Sequence, residues 1–508
     1  MKITAIRLTR LNLPLDPPFN AAWDPEPRRA FPATLVTVET DEGVTGYGSG
    51  DTMDGFEAYE HLFLGTDPLQ IINQVRRIET INFHGGRYWP LEAAFWDIIG
   101  QVAGMPVSVL FGGARDRLPA YASSGELLAP AARAESALAA KAVGFRAMKI
   151  RIARDRLSEG VAAVRAAREA VGDDFDLMVD LNQMWRMSGD IDHALPLAKV
   201  HRLAAELAEL GVLWLEEPLP QVDVPGAQRV RAQTGLQLSG GEMVRSLPEM
   251  MALIEQDAFD IYQPDVALAV GMYRARQVAE SANLRHRFFT PHTWTNGLGL
   301  LANLHVAAGV DAGPYLEFPY DPPGWTPERR DFFMTPITID AHGDVVVPDH
   351  PGLGVEIDHD AARVGERLDE DGLGAIADGG LHGGERHHRL RIAALESRPR
   401  RDHQPGAKRG EAVVARNFEA IDRSIARLGH VTLGTVGQAV PMPLLIPDVV
   451  PDFVASITAR LMAGDGDQLP VSALPVDGTF PSGTTKYEKR AIAQLIPVWD
   501  PSICIDCG

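Results

Sequence analysis

Three carboxylates recur at one kind of place in this sequence. Asp180 closes the apolar run LMVD, Glu216 closes LWLE, and Glu242 follows LSGG. Successive acids are spaced by about one βα unit, ~30 residues. A lone acid at a strand end is an ordinary surface feature. Three in register can converge on one point, and three hard oxygen ligands suit Mg²⁺, which favours carboxylates and keeps positions open for water or substrate. Asn182 shares a strand face with Asp180, and Glu217 falls on the face opposite Glu216.

A second set of residues could move protons. AMKIRI places Lys149 and Arg151 on one face at the end of the strand before Asp180. YQPD ends a later run with Asp265, and FFTPH ends the next with His292. A solitary histidine usually belongs to a surface or core. An aspartate on the neighbouring strand changes that, because it can hold the imidazole tautomer and raise its basicity. PYLEFPY places Glu317 at the end of the last strand-like run.

The elements that must position these groups can be read from periodicity. Residues 1–118 have an α+β texture: an alternating first strand (MKITAIRLTRLNL), strand-like runs at 36–39 and 44–47 around the turn Asp41-Glu42-Gly43, and a helical pattern at 90–103. From about Pro119, short apolar runs at 147–150, 177–181, 212–215, 236–239, 261–262 and 288–290 alternate with helical stretches such as 160–171, 193–210 and 273–282. That alternation predicts a parallel barrel or a doubly wound sheet, with polar residues gathered at the C-terminal ends of the strands, where active sites sit. Residues 344–358 form a turn-rich strand segment that would end a domain.

Composition narrows the function. The chain has 508 residues, 45% hydrophobic and 23% charged, too long for one ordinary core. A formal net charge of −20 argues against a nucleic-acid partner. It leaves room for a carboxylate substrate, since a metal supplies positive charge locally. No apolar run approaches the ~18 residues that span a bilayer, and the N-terminus lacks a signal-peptide block. The only cysteines are Cys504 and Cys507, so disulfides do not hold the fold together and a cytoplasmic setting is expected.

The order Lys-x-Arg, Asp, Glu-Glu-Pro, Gly-Glu, Pro-Asp, His, Glu resembles the mandelate racemase and muconate lactonizing branch of the enolase superfamily. LEAAFWDIIGQVAGMPVSVLFGG, at 91–113, is similar to that family's signature between cap and barrel, and PDHPGLGVEI is similar to its C-terminal return to the cap. The resemblance covers about residues 1–364. It implies a modified TIM barrel, (β/α)₇β, at 119–335, an α+β capping domain at 1–118 and a return segment at 336–364. It implies Mg²⁺ on Asp180, Glu216 and Glu242. It also implies a base that removes the proton α to a carboxylate while the metal stabilises the enediolate. Glu317 resembles the family acid that hydrogen-bonds the substrate carboxylate. Cap loops near 19–23 and 50–54 should close the mouth, which makes Trp23, Thr52 and Asn182 the expected substrate contacts. The implied partner is a small hydroxy-carboxylate, with a homo-oligomer expected from the habit of such barrels.

One position departs from the pattern. Many members carry Lys-x-Lys, the second lysine being a base, whereas Arg151 cannot deprotonate in a protein. Racemisation wants two bases. With His292 as the supported one and Lys149 the other candidate, the expected reaction is dehydration of an acid sugar to a 2-keto-3-deoxy acid. Racemisation or epimerisation and lactone cycloisomerisation are the alternatives.

The C-terminus reads differently. Residues 365–408, rich in Gly, His and Arg, are expected to form a disordered linker. Residues 409–508 resemble an interior piece of pyruvate:ferredoxin (flavodoxin) oxidoreductase, through LPVSALPVDGTFPSGTTKYEKRAIAQLIPVWDP and SICIDCG. An electron-transfer subunit is therefore the reading from another class. Two cysteines fall short of the four thiolates of an iron–sulfur cluster, so this segment is expected to be a fragment without activity of its own.

Overall fold

The computed structural model describes residues 1–82, 86–185, 194–362, 449–462, 469–475, 479 and 481–487. Contacts divide the chain into two compact units, Met1–Gly383 and Gly384–Gly508.

The first unit opens with an antiparallel sheet of β1 (Ile3–Phe19), β2 (Arg28–Thr40) and β3 (Thr45–Gly48), in that order. β1 runs on past the alternating stretch, through Pro14, Pro17 and Pro18 to Phe19, with a register shift between Pro14 and Phe19. Prolines are tolerated there because β1 is an edge strand and needs no N–H on its outer side. Helices α1 (Ile71–Asn82), α2 (Trp89–Ala103) and α3 (Val107–Leu110) follow. Val36 and Val38 of β2 share a core with Val75 and Ile78 of α1 and Phe95 and Ile98 of α2. This is the cap.

The alternation then begins. The strands are β4 (Arg117–Ser123), β5 (Ala147–Arg151), β6 (Asp176–Asp180), β7 (Val212–Glu216), β8 (Gln237–Gly240), β9 (Ile261–Tyr262), β10 (Phe288–Phe289) and β11 (Leu316–Pro319). Between them lie α4 (Pro130–Val143), α5 (Leu157–Val171), α6 (Leu197–Glu209), α7 (Val224–Thr234), α8 (Leu247–Glu255), α9 (Met272–Asn283) and α10 (Gly297–Gly309). The strands pair in parallel in the order β10-β9-β8-β7-β6-β5-β4-β11. β10 and β11 meet without a ladder among the described residues. The Gly313 N–H donates to Phe289 O at 3.2 Å, the Thr290 hydroxyl to Gly313 O at 2.7 Å, and the Thr293 hydroxyl to Glu317 O at 2.7 Å. This is a modified TIM barrel, (β/α)₇β.

The expected barrel strands between 147 and 290 fall within a residue or two of those observed, whereas β2 begins eight residues before the run expected at 36–39 and β4, which begins at Arg117, straddles the 118/119 boundary. Glu317 is the second residue of β11, not its last.

The chain then returns. β12 (Asp344–Val346) pairs antiparallel with β4. Farther on, the Leu353 N–H donates to Asp97 Oδ1 at 2.8 Å, and the Val107 N–H to Gly352 O at 2.9 Å. His305 of α10 joins three segments: its Nδ1 accepts from the Ser108 N–H at 3.1 Å and its Nε2 donates to Leu353 O at 3.0 Å.

In the second unit the described pieces are short, with helical turns at Val454–Thr458 and Ala459–Met462. Val454 and Ala459 are buried against Val450, Met462 and Tyr487. The expected linker at 365–408, Cys504 and Cys507 lie outside the described residues. No described helix is long and apolar enough to cross a membrane.

Candidate active site

Strand ends build the site. β6 ends at Asp180 and β7 at Glu216, and Glu242 stands two residues beyond the end of β8. All three are buried, and one ligand oxygen from each lies within 4.8 Å of the others. Burial pushes Glu216 up to about 7, with repulsion from Asp180 adding to it. Burial also raises Glu242, against the pull of His292. Glu242 Oε2 is buried without a hydrogen bond, and His292 Nε2 is 3.5 Å away. Converging hard oxygens, mutual repulsion and an orphaned carboxylate oxygen fit a divalent cation.

Glu217 stays out of this triad, as strand alternation predicts, but it is not solvated. Its left-handed backbone (φ 45°) turns it inward, where Oε1 accepts from the Gly241 N–H at 3.3 Å. Burial and the nearby Glu242 raise it well above the usual carboxylate range.

Lys149 and Arg151 emerge from β5 on one side of the triad. The Lys149 ammonium lies 2.5 Å from Glu216 Oε1, 2.7 Å from Glu317 Oε1 and 3.4 Å from Asp180 Oδ2. Burial opposes its charge, but Glu216 and Glu317 outweigh burial and hold it well above its ordinary range. Arg151 pairs with Asp180, donates to Asn182 Oδ1 at 2.8 Å and to Ser124 O at 3.0 Å. Asn182, itself in a left-handed conformation, returns its N–H to Asp180 Oδ1 at 2.8 Å.

His292 approaches from the other side. Its Nδ1 is 2.8 Å from Asp265 Oδ2. Burial disfavours its charge, yet Glu242, Glu317 and the bond to Asp265 outweigh that and bring it up to about 9. Asp265 is held by the backbone: its Oδ1 accepts from the N–H groups of Ala267 and Leu268 at 2.7 and 3.1 Å, capping the turn Val266–Val270. One oxygen thus fixes the carboxylate and the other orients the imidazole.

Glu317 accepts at both oxygens, from the Ser123 hydroxyl at 2.6 Å, from Lys149, and from the Thr293 N–H at 2.9 Å. Burial opposes ionisation, but Lys149 and His292 outweigh it and hold the carboxyl well below its usual range. The resemblance implied an acid that hydrogen-bonds the substrate; in the structure its oxygens are engaged by Ser123, Lys149 and Thr293.

Above these groups is a cavity of about 460 Å³, lined by Trp23, Thr52, Asn182, Arg151, Glu242 and His292 among others. Trp23 lies with its ring 4.7 Å from the Arg151 guanidinium. Thr52 sits beside Asp51, whose Oδ2 is 2.6 Å from Arg87 Nε. Sequence reasoning passed over Ser123, Gln263, Arg87 and Trp294. Gln263 donates to Glu216 Oε2 at 2.9 Å, and the Trp294 indole N–H donates to Ser123 at 2.7 Å. Ser123 and Gln263 were findable, since each stands at or just after a strand end. Arg87 had no such marker.

The family model described as enolase C-terminal domain-like matches residues 131–361. D-galactarolactone cycloisomerase from Agrobacterium fabrum is 30% identical over 383 residues, 71% of this chain and 98% of that protein. The chain belongs to the enolase superfamily, in its mandelate racemase and muconate lactonizing branch. Relatives in this superfamily differ in reaction: L-talarate/galactarate dehydratase from Salmonella typhimurium is 29% identical over 230 residues, 45% of this chain and 54% of that protein. A racemase from Streptomyces coelicolor A3(2), solved with bound magnesium, superposes with a TM-score of 0.62 at 27% identity, over 72% of this chain and 99% of that one. A second model, a domain of unknown function, matches residues 441–493. The pyruvate-flavodoxin oxidoreductase relative from Synechocystis is 46% identical over 103 residues, 20% of this chain and 9% of that protein.

Proposed function

We propose that this superfamily member removes the proton α to the carboxylate of an acid sugar and expels the oxygen on the β carbon, giving a 2-keto-3-deoxy acid. The observation that carries this reading is the asymmetry of the site: an oriented imidazole on one side, and two engaged cations on the other. Asp180, Glu216 and Glu242 would hold Mg²⁺, which supplies positive charge where the substrate carboxylate gains electron density. Asp265 keeps the proton on Nδ1 of His292; with the charge of Glu242, which raises the imidazole, taken up by the metal, the ring would be neutral and its Nε2 would take the α-proton and then deliver it to the departing oxygen. Lys149, facing three carboxylates, has no lone pair to offer and serves as a fixed cation. Arg151 cannot act as a base. A one-sided site suits elimination better than racemisation.

The test is a screen of acid sugars with Mg²⁺, scored for 2-keto-3-deoxy products, with α-proton exchange followed in deuterium oxide. His292→Asn should abolish both turnover and exchange. Exchange that survives in this variant would make Lys149 a second base and restore the racemase reading.

A further inference from the structure

Glu216 is nearly saturated before any cation reaches it. A carboxylate offers two oxygens and roughly four lone-pair positions. The Lys149 ammonium takes one on Oε1, at 2.5 Å. Gln263 Nε2 donates to Oε2 at 2.9 Å, and the Trp214 indole N–H donates to the same oxygen at 3.3 Å. The position left open is on Oε1. Asp180 is engaged at both oxygens as well, by Arg151 on Oδ2 and by the Asn182 N–H on Oδ1. Glu242 is the contrast, since its Oε2 accepts no hydrogen bond. Donors therefore restrain two of the three ligands, and Glu216 most completely.

Gln263 is the donor whose presence needs a reason. It stands just after β9, where its N–H donates to Gly240 O at 3.0 Å and its carbonyl accepts from the His292 N–H at 3.4 Å. The main chain is thus pinned between the end of β8 and the loop that carries His292, and from there the side chain reaches Glu216. Gln263 is buried, and its Oε1 finds no hydrogen bond among the described residues. An unpaired buried acceptor destabilises a fold, and an apolar side chain of similar volume would avoid that cost. What the amide provides against it is the bond to Glu216. The other donors are no substitute: Lys149 is shared among three carboxylates, and Trp214 acts at longer reach.

We infer that Gln263 is a positioning residue that limits Glu216 to one-oxygen coordination and thereby biases the site toward Mg²⁺ and against Ca²⁺. This rests on the assignment of the cation to Asp180, Glu216 and Glu242, not on the reaction that follows. Mg²⁺ demands near-ideal octahedral geometry at about 2.1 Å and keeps several waters. Ca²⁺ takes roughly 6–8 oxygens at about 2.3–2.6 Å, and carboxylates that grip it with both oxygens raise the count. With Oε2 filled by Gln263 and Trp214, Glu216 gives a cation one oxygen only, in a fixed orientation. Without Gln263 a position opens on Oε2 beside the one on Oε1, and the carboxylate is free to turn and bind through both. Asp180 stays restrained by Arg151 and Asn182, so the change falls on Glu216.

The experiment titrates the full chain with MgCl₂ and, separately, with CaCl₂, and reads each affinity by calorimetry with no substrate present. Gln263→Met keeps the length of the side chain and removes the donor. It should weaken Mg²⁺ by about 10–100-fold, the usual effect of losing an outer partner of a metal ligand. Ca²⁺ should weaken far less, so that the ratio of the two affinities moves toward Ca²⁺ by at least about tenfold, some 1.4 kcal/mol. Trp214→Phe removes the other donor to Oε2 and should move the ratio the same way by a smaller factor; it carries the test if Gln263→Met does not fold. Melting temperature without metal shows which variants fold. A ratio unchanged in the folded variants, whether both ions weaken equally or neither does, overturns the inference. A parent that binds neither ion overturns the metal assignment and the inference with it. Failure of every acid sugar to turn over would sink the proposed reaction and leave the affinity ratio standing.

Discussion

Asp265 divides its two oxygens between architecture and chemistry, and that division can be tested. Asn at this position keeps an oxygen for the N–H groups of Ala267 and Leu268, so the turn Val266–Val270 should hold. The amide would then face Nδ1 of His292 as a donor and force the proton onto Nε2, the atom that must be free to accept. Asp265→Asn should therefore leave melting temperature nearly unchanged and lower kcat by on the order of 10²–10⁴. An equal loss of stability and activity would mean that Asp265 serves only the turn. Lys149 shows the reverse economy, since its ammonium is within ion-pair distance of three carboxylates, Glu216, Glu317 and Asp180. It was legible in the sequence as a candidate base, and only the positions of Glu216 and Glu317 around it make it a fixed cation.

At the level of elements, His305 links α10, α3 and the returning segment with one neutral ring. Protonation would place a hydrogen on Nδ1, against the Ser108 N–H, and burial brings the imidazole down to about 4. Linkage sets the sign. Between about 4 and the unfolded value of ~6.5, the unfolded chain binds a proton that the fold refuses, so this histidine's contribution is intact at neutral pH and is lost as pH falls, by about 3 kcal/mol at the lower end. Glu92, raised by burial to about 7, has the opposite sign, so the quantity to measure is a difference. The gap in melting temperature between the parent and His305→Gln should narrow steadily from pH 7 to pH 4. A constant gap would mean that the ring titrates normally. The barrel strands were legible because parallel strands buried on both faces read as continuous apolar runs. β4 was harder to see, since RLPAYAS mixes a proline and small residues into the run. The pairing of Arg87 with Asp51, and the gathering of Trp23, Trp294 and Trp325, are tertiary events between segments far apart in the chain, and no local periodicity encodes them.

On the scale of the whole molecule, every residue assigned a role lies in the unit Met1–Gly383. A chain ending near residue 364 should keep kcat/KM within about twofold, the range expected when no buried contact of the site is removed. Loss of activity on that truncation, with the barrel still folded by circular dichroism, would assign the C-terminal unit a part in catalysis. The seam between β10 and β11 bears on how the site itself can be probed. Thr293 and Glu317 hold it with backbone and side chain together, so the carboxylate beside Lys149 is also a clasp for the barrel wall. A variant at Glu317 therefore perturbs two things at once, and a lower rate alone would not say which. Hydrogen exchange at the Thr293 amide separates them, because it reports the opening of the seam whether or not substrate is turned over. A barrel closed through one of its own active-site groups couples the breathing of the wall to the occupancy of the site.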